Sequence, residues 1–185
     1  MIKLFKKIIL GVDASEDAIK AVDKVIEIAK QDNAEVVIFH SVLHRVTDIK
    51  FGLGTNLPIG SSLSYEINGD RAKAATDLLK KIKEKFSKEG REVETRVIYD
   101  YGPQYYIEEH VQKEGFDLVV LGCRGEHTKL KRTVLGTVPE YVINHADANV
   151  LIVKWYENIK CQRNKFFFLF IRYKTSFYLK SEENE

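Results

Sequence analysis

The chain has 185 residues, 44% of them apolar and 30% charged, which suits one globular domain with a proper core plus an appendage. Its formal net charge of +2 gives no strong field that would argue for nucleic acid or an acidic membrane surface, so function has to come from local chemistry. Two cysteines, no apolar leader beyond Ile8–Val12, and a longest apolar run, Phe166–Ile171, far short of the ~20 residues that cross a bilayer point to the reducing cytoplasm and no transmembrane segment.

Lys6–Asp13 is a β-rich apolar run that stops at a carboxylate and reads as the first strand. From Ser15 to about Lys30, Ala18, Ala21, Val22, Val25, Ile28 and Ala29 recur at helical spacing until Asn33 breaks the pattern, and Glu35–Leu43 is the second strand. His44 to about Ser62 carries Gly52, Gly54, Pro58 and Gly60 without a sustained period and reads as a long loop or lid. A helix follows from about Ser64 to Lys88, its start blurred by Asn68-Gly69 and its end marked by Gly90. Val93–Ile98 is the third strand, Gly102-Pro103 to about Lys113 the third helix, Leu118–Leu121 the fourth strand, Val138–His145 the fourth helix and Asn149–Val153 the fifth strand. Strands alternating with helices, several strands being continuously apolar, imply an α/β fold with a parallel sheet covered on both faces.

Chemistry concentrates where Asp117-Leu-Val-Val-Leu121 runs into Gly122-Cys-Arg-Gly125 and, eleven residues after Gly125, Gly136-Thr137 opens a helix. A strand ending in glycines near a helix N-terminus turns backbone N–H groups toward an anion such as phosphate. Glycines also simply end strands, and Thr137 with Glu140 has capping-box spacing, Pro139 standing where a missing N–H is harmless. Asp13 can accept hydrogen bonds from a ribose or adenine or help to hold a metal, or form a capping box with Glu16. Arg124, Lys129, Lys131 and Arg132 favour a polyphosphate, although a solvated basic face explains such a run too. Cys123 reads as a redox-reactive thiol or a buried inert one. His40 and His44 lack further ligands at zinc spacing, and no Ser-His-Asp set, carboxylate pair or GxxxxGK[ST] is present, so no catalytic residue and no metal ligand is assigned.

Asp13-Ala-Ser-Glu16, Leu121-Gly-Cys-Arg-Gly125 and Leu130–Val138 together resemble the universal stress protein family over about residues 1–154. The resemblance implies a single five-stranded parallel sheet in the order 3-2-1-4-5 with helices on both faces, an adenine-nucleotide alpha-hydrolase-like, Rossmann-type architecture. It implies a homodimer joined through strand five, here Val150, Leu151, Ile152 and Val153, and in one branch of the family a bound ATP with Mg²⁺ or Mn²⁺ on its phosphates. Carried onto this chain, the nucleotide would meet Val12, Asp13, Val42, Leu121, Gly122, Arg124, Gly125, Gly136, Thr137 and Val138. The order 3-2-1-4-5 would open a crevice between strands one and four, so Asp13 and Gly122 should face one another. The chain departs from the family pattern in having ten residues rather than nine between Gly125 and Gly136, a longer connection that either leaves the phosphate cradle intact or shifts it. The expected function is a stress-response sensor or switch that binds an adenine nucleotide; the alternatives are a dimeric scaffold with no nucleotide and a slow ATPase. Residues 155–185, with Lys165–Tyr173 and Phe177-Tyr178, form an aromatic and basic extension expected to pack on its own domain, swap onto a partner near strand five, touch a membrane surface, or remain partly disordered.

Overall fold

The computed structural model describes residues 3–43, 61–125, 135–154 and 168–172. The expectations for the 44–60 loop, for the longer connection with Lys129, Lys131 and Arg132, for His44, and for the tail apart from 168–172 lie outside the described residues. The elements are β1 (Lys7–Gly11), α1 (Glu16–Asp32), β2 (Glu35–Val42), α2 (Ser61–Lys88), β3 (Glu94–Tyr99), α3 (Pro103–Glu114), β4 (Leu118–Gly122), α4 (Thr137–His145), β5 (Asn149–Lys154) and β6 (Phe168–Arg172).

The sheet runs β3-β2-β1-β4-β5-β6. Its first five strands are parallel, in the expected order. Ile8, Ile9 and Leu10 of β1 are fully buried because both faces of the sheet are covered. Ile8, Leu10, Val36 and Ile38 join Val22 and Val25 of α1 and Leu79, Ile82 and Phe86 of α2 in one cluster. Ile9, Val37, Phe39 and Val119 join Tyr106 and Ile107 of α3 and Val142 of α4 on the other face. This alternation along each strand is the two-residue period of a pleated sheet.

Helix ends follow local chemistry. Asn33 closes α1 with a left-handed φ of 53°, and Gly115 closes α3 with a φ of 71°. At the amino end of the sheet the Asp117 carboxylate accepts hydrogen bonds from the Lys6 and Lys7 amides, which aligns the starts of β1 and β4. Helix α2 begins earlier than expected and runs straight through Asn68-Gly69. Two weak helix formers cost about 1 to 2 kcal/mol, which burial of Ala75, Leu79, Ile82 and Phe86 outweighs.

The sixth strand is an addition to the five-stranded expectation. It pairs antiparallel with β5, from Lys154 opposite Phe168 to Val150 opposite Arg172, so residues 168–172 of the extension add to their own domain. The edge at which the resemblance places a dimer contact, Val150 to Val153, is therefore occupied from within the chain. No described helix is long and apolar enough to cross a membrane.

Candidate functional site

Strand β1 lies between β2 and β4, and the chain leaves β1 toward α1 on one face and β4 toward α4 on the other. This switch point opens a crevice at the carboxyl ends of β1 and β4. Asp13 enters it from one side and the Gly122–Gly125 turn from the other. The two meet: a Cβ placed on Gly125 would lie 3.1 Å from Asp13 Oδ2.

On the β1 side, Asp13 Oδ1 accepts the Ser15 amide at 3.0 Å and the Ser15 hydroxyl, while Ser15 Oγ accepts the Ala18 amide at 3.2 Å. Ser15 is thus the N-cap of α1, in place of an Asp13–Glu16 box, because the Asp13 side chain folds back onto the residue two ahead. Asp13 Oδ2 is turned to the turn after β4.

In that turn the glycines have separate physical roles. A Cβ on Gly122 would stand 2.7 Å from the Ala18 backbone nitrogen and 3.0 Å from the Asp17 carbonyl carbon, so Gly122 lets helix α1 seat directly on the end of β4. Cys123 is held by its amide, which donates to the Val153 carbonyl at 2.7 Å, and by its carbonyl, which accepts the Gly136 amide at 2.9 Å. Its side chain is buried, and that burial pushes the thiol pKa up, in keeping with the inert reading. The Arg124 guanidinium turns sideways: Nε donates to Asp17 Oδ2 at 3.0 Å.

Gly136 is the N-cap of α4 and makes no side-chain capping bond, which leaves the amides of Thr137 and Val138 uncommitted within the helix. Thr137 is the first helical residue, and Glu140 closes the first turn by donating its amide to the Gly136 carbonyl at 3.0 Å. The capping box expected of Thr137 and Glu140 does not form, since the cap position falls one residue earlier. A hydrogen bond from the Gly136 amide to the Cys123 carbonyl draws the start of α4 and the Gly122–Gly125 turn together.

The remaining expected residues do not share one wall. Val12 belongs to the cluster under α1 and α2; Leu121 belongs to the one under α3 and α4, with Val138 packed against it. Leu121 closes on Gly11, where a Cβ would come within 2.6 Å of its side chain. Val42 is buried at the end of β2, and its carbonyl accepts the Asp100 amide at 3.0 Å. His40, half of the histidine pair considered for a metal, has its Nδ1 2.7 Å from the Val12 carbonyl oxygen and braces the end of β1. Among the described residues no group of three or more His, Cys, Asp or Glu side chains could hold a metal ion.

Sequence reasoning missed Asp17 and Lys154. Both are buried charged groups, and both act electrostatically on the Cys123 thiol. A charged residue closing the apolar run Val150–Val153 was a visible signal for Lys154. Asp17 looked like an ordinary acidic residue in a first helical turn.

A family model described as the universal stress protein family matches residues 4–154. The universal stress protein YxiE of Bacillus subtilis is 31% identical over 152 residues, covering 82% of this chain and 100% of its own. Among solved structures, that of hypothetical protein MJ0577 superposes with a TM-score of 0.69 at 25% identity, over 84% of this chain and 99% of that one; the same protein in Methanocaldococcus jannaschii is named a universal stress protein. A family protein of Arabidopsis thaliana solved with AMP bound has a TM-score of 0.57 at 16% identity, over 82% of this chain and 93% of that one, a likeness of fold alone.

Proposed function

This chain belongs to the universal stress protein family, and we propose that it binds ATP or a related adenine nucleotide at the mouth of its sheet, as a cytoplasmic sensor or switch in the stress response rather than a fast catalyst. The observation that carries this reading is the meeting of Asp13 with Gly125 beside the N-terminus of α4, whose cap residue Gly136 has no side chain to offer. Backbone amides at a turn and a helix start suit phosphate oxygens, and a carboxylate beside them suits a ribose hydroxyl. The fold itself holds an adenine nucleotide in the A. thaliana protein.

In this reading the phosphates lie against the turn at Arg124 and Gly125 and against Thr137 and Val138, whose amides and the Thr137 hydroxyl donate. Ribose sits at Asp13 and adenine near Val12 and Val42. Gly122, Gly136 and Leu121 shape the site through packing rather than by touching ligand. A Mg²⁺ or Mn²⁺ ion rides on the phosphates, because hard cations pair with phosphate oxygens and need few protein ligands. Isothermal titration of nucleotide-free protein with ATP and Mg²⁺ tests this: micromolar affinity, about −8 kcal/mol, is expected, and no binding at millimolar nucleotide overturns it.

A second reading, a scaffold that holds no nucleotide, is favoured by the longer connection before Gly136 and by Gly122, whose missing side chain the contact with α1 already explains. Nucleotide extracted from the denatured protein separates the readings: ATP supports binding, ADP a slow ATPase, and neither the scaffold. A homodimer through Val150–Val153 requires β6 to leave or exchange, since that strand holds the edge.

A further inference from the structure

Asp17 is the second residue of α1, and its side chain is 2% exposed. A carboxylate withdrawn this far from water needs strong compensation. Some comes from the positive end of its own helix. More comes from Arg124, whose Nε donates to Oδ2 at 3.0 Å while Nη2 reaches Oδ1 at 3.4 Å, a two-point contact between segments remote in sequence. The contact sits at the crevice. It spans the junction where the Gly122 backbone presses on Asp17 and Ala18, and it precedes the point where Gly125 meets Asp13.

We infer that Asp17 is a positioning residue for the anion site: through Arg124 it fixes the turn from Gly122 to Gly125 on the N-terminus of α1. This inference rests on the nucleotide reading above and goes further, because it assigns Arg124 a role opposite to the obvious one. An arginine in a glycine-rich turn invites reading as a phosphate cation. Here the guanidinium is half-screened, its side chain 29% exposed, and its charge is answered by Asp17. Its plane sets the turn, and the neighbouring amides are left to face the ligand. Gly122 and Cys123 are already held by α1 and by backbone bonds, so the freedom left to the turn lies at Arg124-Gly125, and ordering that part at the moment of binding would weaken affinity.

Three variants test this: Asp17→Asn, Arg124→Gln and Arg124→Lys. Lysine keeps the positive charge but cannot make the forked contact. Affinity for ATP and Mg²⁺ should fall about tenfold in all three, Arg124→Lys included, and the Asp17→Asn/Arg124→Gln double variant should be no weaker than either single one. The second readout needs no nucleotide: exchange of the Cys123, Arg124 and Gly125 amides, followed by NMR, should quicken in each variant while the amides of β1 keep their protection. Full affinity in Arg124→Lys with loss in Arg124→Gln would show a plain phosphate cation and overturn the inference. Unchanged exchange in Asp17→Asn would overturn it as well. If the wild type binds no ATP, the nucleotide reading fails, and the exchange rates still decide the role of Asp17. Loss of β1 protection in Asp17→Asn would mark a fold-wide defect, and exchange in the two Arg124 variants then decides: quickened turn amides support the inference, unchanged ones overturn it.

Discussion

The two glycines that bracket Cys123-Arg124 are interchangeable letters in the sequence but answer to different neighbours. At Gly122 a methyl group would collide with the backbone of Ala18 and Asp17, which no rotamer change can relieve. Gly122→Ala is expected to cost about 1 to 3 kcal/mol in urea denaturation, the range of an overpacked core site. At Gly125 the only neighbour among the described residues is the end of the Asp13 side chain, which can swing away. Gly125→Val should therefore leave stability within about 1 kcal/mol of wild type while abolishing ATP binding in calorimetry, since it places branched carbon in the anion notch and displaces Asp13. Equal stability losses at the two sites would refute the distinction. At this scale the sequence singled out candidate residues, because glycine, aspartate and threonine carry their chemistry in their identity, and the structure brings Asp13 and Gly125 of that set together. The sequence did not reveal what each one touches. Asp17 stayed hidden because its meaning depends on Arg124, far along the chain, and His40 because its partner is a backbone carbonyl.

Elements were more legible than contacts. The expected β and α segments all form, with ends within a few residues, because Asn33, Gly90 and Gly115 terminate helices by local backbone geometry. The caps are where local reading went astray: Ser15 and Gly136 take the positions expected of Asp13 and Thr137, a shift of one or two residues that decides which side chain remains available. Helix α2 shows the reverse problem, a local breaker overruled by packing. Gly69 lies exposed inside that helix, has ordinary φ, and among the described residues has no neighbour within 4 Å of a would-be Cβ. Gly69→Ala should raise stability by about 0.5 to 1 kcal/mol, read as a higher urea midpoint with an unchanged slope. A drop instead would mean that the glycine serves a contact beyond the helix.

For the whole molecule, the strand order followed from the family resemblance and the parallel sheet from the alternation of strands with helices, and of the expectations for the tail, packing on its own domain is the one that residues 168–172 follow. Strand pairing is a long-range choice. The run advertised a strand needing cover, and β5 turned out to be its neighbour. Ending the chain at Lys154 would bare the apolar β5 edge, and open edges of this kind recruit other chains. Size-exclusion chromatography with light scattering should show the truncated protein as dimer or aggregate at concentrations where the full chain has a smaller mass. An equal or smaller association state would mean that β6 does not guard that edge. Because β5 and β6 run in opposite directions, the polypeptide leaves and re-enters the sheet at its carboxyl end, and the Val153 carbonyl there grips the Cys123 amide. Cargo attached behind residue 172 thus departs from the amino end of the sheet, level with the start of β1, so that it and a fusion ahead of Lys7 hang from one pole while the glycine turn stands at the other.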